Sequence, residues 1–133
     1  MKKLFTVILA LTLLTGCSTT LQKQSSGSIT INNPNYNSVF SKTVQAAISS
    51  GLVVTKAEKE NGFILATASH NPFLTHNAPA INIFVNKQGN GVNISIKSTI
   101  HGQLVDYGTS KNNIAKFCNS LQNSYPGSKC TIQ

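Results

Sequence analysis

The chain has 133 residues, 11 basic and 3 acidic side chains, a formal net charge of +8 and no Trp. That length holds one domain with one modest core. Every basic residue is Lys, so the bidentate Arg contacts on which sequence-specific nucleic-acid recognition relies are missing. Lysines in this number suit an anionic surface or simply keep the chain soluble. No glycine pattern of a phosphate loop or dinucleotide site occurs.

Met1-Lys2-Lys3 precedes an apolar run over residues 4–14, and Leu14-Thr15-Gly16-Cys17 closes it. These are the charged, hydrophobic and cleavage regions of an export signal. The run is too short for a membrane-spanning helix, which needs roughly twenty residues. With Cys17 directly after Thr15-Gly16, the segment resembles the lipobox of bacterial lipoproteins. The resemblance implies cleavage after residue 16 and a Cys17 that carries diacylglycerol and an N-acyl chain, palmitate among the acyl groups. Two or three acyl chains hold firmly, whereas one anchors only marginally at about 0.8 kcal/mol per buried CH₂. Ser18, rather than Asp, follows the Cys; in a two-membrane bacterium this implies sorting to the outer membrane, and the domain is expected, separately, to face the periplasm. Removing Lys2 and Lys3 with the signal lowers the charge to about +6.

From Cys17 to Gly27 the chain reads as lipidated Cys plus a polar tether of Ser, Thr and Gln, and residues 28–133 read as one domain. Ser28-Ile29-Thr30-Ile31 alternates as a short edge strand. A helix follows Tyr36 and runs to about residue 50, capped by Asn37 or Ser38 and ended by Gly51, with Phe40, Val44, Ala47 and Ile48 on one face. Residues 52–57 and 63–68 form a hairpin about Lys59-Glu60-Asn61-Gly62. A loop over 70–79 leads to the clearest β pattern. Ile81, Ile83 and Val85 alternate with Asn82, Phe84 and Asn86; beyond the turn Gln88-Gly89-Asn90-Gly91, Val92, Ile94, Ile96 and Ile100 alternate with Asn93, Ser95, Lys97 and Thr99. After a second loop, Thr109 or Ser110 caps a helix in which Ile114, Phe117, Cys118 and Leu121 repeat at helical spacing. The expected fold is α+β: two helices packed on one face of an antiparallel four-stranded sheet, in the order α-β-β-β-β-α, with room for an extra N-terminal strand.

The helix, Gly51-Leu52-Val53-Val54, Gly62-Phe63-Ile64-Leu65-Ala66-Thr67, the alternating hairpin and the final helix together resemble small envelope lipoprotein domains, such as the helix-grip modules in the lipoprotein subunit of the outer-membrane barrel-assembly machine. The resemblance implies a domain that binds other envelope proteins or adjusts their assembly, with no shared catalytic motif; fold-level likeness is a weak warrant for function. Once Cys17 is assigned to lipid, Cys118 and Cys130 are an even pair in an exported domain, read as a disulfide, with two reduced thiols as the alternative.

Constellations for chemistry are sparse. Glu58 and Glu60 flank Lys59 on a turn, where solvation explains them better than acid–base work. His70, His76 and His101 do not have a recurrent ligand spacing, and His101 with Asp106 and a Ser lacks nucleophile-elbow glycines. The reading is therefore no enzyme, no metal, and no cofactor beyond the lipid on Cys17. Binding surfaces are the better candidates: Asn82, Phe84 and Lys97 on the wet face of the hairpin, with Phe84 a lone aromatic; the loop containing Phe73 and Leu74; and strand addition at a sheet edge. The expected function is a lipid-anchored, non-catalytic interaction or assembly module of the envelope, with envelope proteins as partners and no nucleic acid. A periplasmic binder of glycan, metal or a hydrolase is the first alternative and a hydrolase the second.

The lipobox has a direct test. Intact-mass analysis of membrane-extracted protein should give the chain from Cys17 plus acyl mass, and a full-length unmodified chain would refute processing.

Overall fold

The computed structural model describes residues 25–68, 79–99 and 109–133. Alternation along the strands sets its layers. In chain order the elements are β1 (Ser25–Asn32), α1 (Tyr36–Ser49), β2 (Leu52–Glu58), β3 (Phe63–Ala68), β4 (Ala80–Gln88), β5 (Gly91–Thr99), α2 (Thr109–Ser124) and β6 (Cys130–Ile132). The strands form one six-stranded sheet in the order β2-β3-β4-β5-β1-β6, antiparallel at every neighbouring pair. β1 and β2 consequently run the same way, as do β5 and β6. Each helix is the crossover that joins such a pair. The α+β class and the two-helix layer match the expectation; the sheet has six strands rather than four.

The two additional strands lie side by side beyond β5, and the first is the N-terminal strand for which the expected order left room. β1 begins at Ser25, earlier than Ser28, and lies inside the sheet between β5 and β6 rather than at its edge. β6 is only three residues long, too short to announce itself by periodicity, and it covers Gly27 to Ile29 of β1. A disulfide between Cys118 in α2 and Cys130 in β6, with a Cα–Cα distance of 5.8 Å, fixes that strand to the helix above it.

Core side chains come from one face of the sheet and one stripe of each helix. Ile29, Ile64, Ile81, Ile83, Ile94 and Ile96 meet Val39, Ala47, Ile114, Phe117 and Leu121 in a single buried cluster. Along β5 the inward series passes through Ser98, buried at 1 % exposure, after Ile96. α2 buries the stripe expected of it, and Thr109 and Ser110 stand in its first turn.

α1 differs from expectation at both its start and its face. Its N-cap is Asn35, whose Oδ1 accepts from the Ser38 amide at 3.2 Å, rather than Asn37 or Ser38. Its buried stripe is Val39, Phe40, Thr43, Ala46 and Ala47, while Ile48 is 58 % exposed. Thr43 sits in the core because its Oγ1 donates to the Val39 carbonyl at 2.8 Å, leaving only its methyl and stem to pack. A polar residue in the stripe rotated the apparent apolar face toward Ile48.

Gly27 sets the distance between α2 and the sheet. A Cβ built there would lie 2.8 Å from Ile114 Cγ2 and 3.1 Å from Ile96 Cγ2. Gly27→Val should therefore cost about 1–3 kcal/mol by overpacking, read as a lower chemical-denaturation midpoint; an unchanged midpoint would show that α2 can lift away freely. Cys118→Ala with Cys130→Ala opens a loop whose closure is worth about 3 kcal/mol, so the melting temperature should fall by roughly 10–20 °C.

Candidate functional site

The sheet face opposite the helices carries no second layer among the described residues, and the pairing register arranges its side chains in rows. Phe63 lies opposite Phe84, Phe84 opposite Ser95, and Ser95 opposite Ser28. The next row holds Lys56, Leu65, Asn82, Lys97 and Ser26. Asn82 and Lys97 are thus cross-strand neighbours, with Phe84 two residues along from Asn82 on the same face. The three residues singled out from sequence come together.

Phe84 is not a lone aromatic. Its ring centroid stands 5.4 Å from that of Phe63 at an interplanar angle of 43°, a tilted pair of the favourable kind. Phe84 is 36 % exposed, Phe63 and Leu65 are half-buried, and Val53 on the edge strand β2 is 50 % exposed. An apolar patch therefore lies on β3 and β4, with the Lys56–Glu58 ion pair beside it on β2 and Val53 farther along that strand, opposite Thr67. Periodicity could not assign Phe63, because Phe63-Ile64-Leu65-Ala66 is apolar on both sides of the strand. Only its register with β4 separates outward Phe63 and Leu65 from buried Ile64 and Ala66.

Gly62 and Tyr36 hold the aromatic pair in place. Gly62 adopts φ +61° at the β2–β3 turn, and its carbonyl accepts from the Val85 amide at 2.7 Å. Phe63 follows Gly62 and Phe84 precedes Val85, so this hydrogen bond brackets both rings. Tyr36 at the start of α1 donates its hydroxyl to the Lys59 carbonyl at 2.9 Å, pinning the same turn, and Lys87 Nζ lies 4.9 Å from its ring centroid.

The rest of the face is an amide and hydroxyl lattice. Asn82 Nδ2 donates to Thr99 Oγ1 at 3.3 Å, and Asn93 Nδ2 lies 3.1 Å from both Ser28 Oγ and Thr30 Oγ1. Glu58 is the acid on this face among the described residues. Lys56 Nζ lies 2.7 Å from its Oε1 and Asn61 Nδ2 donates to its Oε2 at 3.3 Å. Hydrogen bonding from Lys56, then from Asn61, holds the Glu58 carboxyl below its ordinary pKa. Lys97 has no ion pair among the described residues. The face can offer aromatic contact, amide and hydroxyl hydrogen bonds and positive charge.

Other expected positions lie elsewhere. Cys17, His70, Phe73, Leu74, His76, His101 and Asp106 fall outside the described residues. Among the described residues no group of three His, Cys, Asp or Glu gathers to hold a metal, and no helix is long and apolar enough to cross a membrane.

Residues 1–18 match the family pattern of the prokaryotic membrane lipoprotein lipid attachment site. The match supports a bacterial lipoprotein of the cell envelope, anchored to a membrane. No curated protein matches the chain. A solved structure of a conserved protein from Geobacillus kaustophilus is similar to 80 % of this chain and 98 % of that one, at 12 % identity and a TM-score of 0.37.

The pinned turn has a sharp test. A Cβ on Gly62 would run into the Val85 carbonyl oxygen and would need a positive φ as well. Gly62→Ala should cost about 1–3 kcal/mol and broaden or shift the aromatic NMR signals of Phe63 and Phe84, whereas Gly89→Ala, which meets nothing within 4 Å, should leave those signals in place.

Proposed function

We propose that the protein is a lipid-anchored, non-catalytic interaction module of the bacterial envelope, acylated at Cys17, and that it works through the open face of its sheet. One observation carries this reading: the Phe63–Phe84 pair stands on a face that neither helix covers, next to Lys97 and an Asn, Ser and Thr lattice. Aromatic anchors with a hydrogen-bonding rim are the usual composition of a protein-binding patch. The patch suits another envelope protein, with Phe84 entering an apolar pocket and Asn82 and Lys97 meeting polar or acidic groups at its margin.

Further support is of a general kind. The disulfide suits an oxidising compartment outside the cytoplasm, and Ser18 after Cys17 favours the outer membrane. Two helices on one side of an antiparallel sheet are what the resemblance to barrel-assembly lipoprotein domains implies, which favours an accessory role in outer-membrane assembly or secretion.

Photo-crosslinking residues placed in turn at positions 82, 84 and 97 should each trap the same envelope protein in intact cells. The same probe at position 48, exposed on the helix side, should trap none of it. Phe84→Thr, which keeps a β-forming side chain, should abolish the crosslink from position 82 while lowering stability by only about 1 kcal/mol through loss of the ring pair. Crosslinks from position 48 alone would place the working surface on the helices and sink this reading.

A further inference from the structure

Positive charge is unevenly spread over the domain. Both acidic residues that the structure describes, Glu58 and Glu60, stand at the β2–β3 turn, on the β2 side of the sheet. On the opposite side, α2 and the approach to β6 carry Lys111, Lys116 and Lys129, all exposed. No acidic side chain occurs from Thr109 to Gln133; Asp106, three residues before α2, lies outside the described residues. None of the three lysines has an ion pair or a ring contact among the described residues.

Two of these lysines turn toward the β6 edge. Lys111 precedes Cys118 by seven residues and Gln122 by eleven, which places all three on one side of α2. Cys118 reaches β6 through the disulfide, and Gln122 Nε2 donates to the Ser128 carbonyl at 3.1 Å. Lys129 immediately precedes Cys130 on the same edge.

The lipid tether enters at this edge too. β1 starts at Ser25, and its next residue exchanges backbone hydrogen bonds with Gln133 beyond β6, Ser26 N to Gln133 O at 3.2 Å and Gln133 N to Ser26 O at 2.8 Å. Only the seven residues of 18–24 separate Cys17 from β1, a reach of about 25 Å at full extension. The sheet itself is about 24 Å across, from six strands spaced about 4.8 Å apart. The lysine-bearing edge is therefore kept near the anchor, and the Glu corner lies on the far side.

We propose that the α2–β6 edge rests on the anionic headgroups of the leaflet that holds the anchor, with Lys111 and Lys129 as its contacts; Lys116, about 140° around α2 from Lys111, faces away from this edge. The inference rests on acylation of Cys17. It deepens the proposed function by orienting the domain, with the Phe63–Phe84 patch on the half turned away from the bilayer. A tether this short raises the local concentration of headgroups enough for two lysines to suffice, since each adds about fivefold at an anionic surface.

Acylated protein is reconstituted in vesicles of phosphatidylcholine alone or mixed with phosphatidylglycerol, and lysine acetylation rates are read by mass spectrometry. With phosphatidylglycerol present, Lys111 and Lys129 should label about fivefold more slowly, Lys59 and Lys87 should be unchanged, and high salt should erase the difference. Lys129→Gln should release Lys111 from protection. Equal rates in both vesicles, or protection centred on Lys59 and Lys87, would overturn the edge contact while leaving the anchor intact. A chain that fails to float with vesicles of phosphatidylcholine alone refutes the anchor, and the edge contact falls with it.

Discussion

Two helices are all that the described chain has to lay over a six-stranded sheet, and Ile29, Ile64, Ile81, Ile83, Ile94 and Ile96 draw both of them to the same side. Apolar burial is non-directional, but the two-residue period of a strand is not. Once one register places these residues inward, the alternate residues must face out. The outward set here is mostly Asn, Ser, Thr and Lys, which tolerate water. The exceptions are the aromatic patch on β3 and β4, where the same rule exposes Phe84, and Val53 on the edge strand β2. An open face is thus a consequence of the core, and its apolar part is the portion that solvation does not explain.

The other half of the molecule depends on how closely α2 approaches β1. Gly27 removes the side chain that would hold Ile114 off the strand, and the helix then sits low enough for Cys118 to bond Cys130. β6 makes only a three-residue ladder with β1, and strands that short are weak on their own. The covalent link to a well-buried helix makes the edge durable. It also seals the outer side of β1 where the tether enters, so that the joint between anchor and domain is built into the sheet.

Much of this could be read from residue order, and the failures have physical causes. The β4–β5 hairpin was legible because Ile81 to Val85 and Val92 to Ile96 alternate cleanly with polar residues. α2 was legible because Ile114, Phe117, Cys118 and Leu121 are all apolar and all inward. α1 misled because Thr43 satisfies its own hydroxyl and enters the core, while Ile48 does not. β6 escaped because three residues carry no period. Asn82, Phe84 and Lys97 were found on the outward face, yet Phe63 was missed, because a strand apolar on both faces hides which side is which until its neighbour is known.

The aromatic patch and the lysine edge divide one sheet between them, and the division follows from topology. β1 must lie beside β6 for α2 to cover both, so the tether enters on the α2 side. α1 must cross to the far edge to deliver β2, so the β2–β3 turn, its two Glu residues and the bracketed Phe63–Phe84 pair lie on the other side. A chain anchored before β1 is thereby polarised without a second domain: the positive edge near the lipid, the aromatic contact held away from it. With seven residues between Cys17 and β1, the α2–β6 edge is the nearer of the two sheet edges to the anchor.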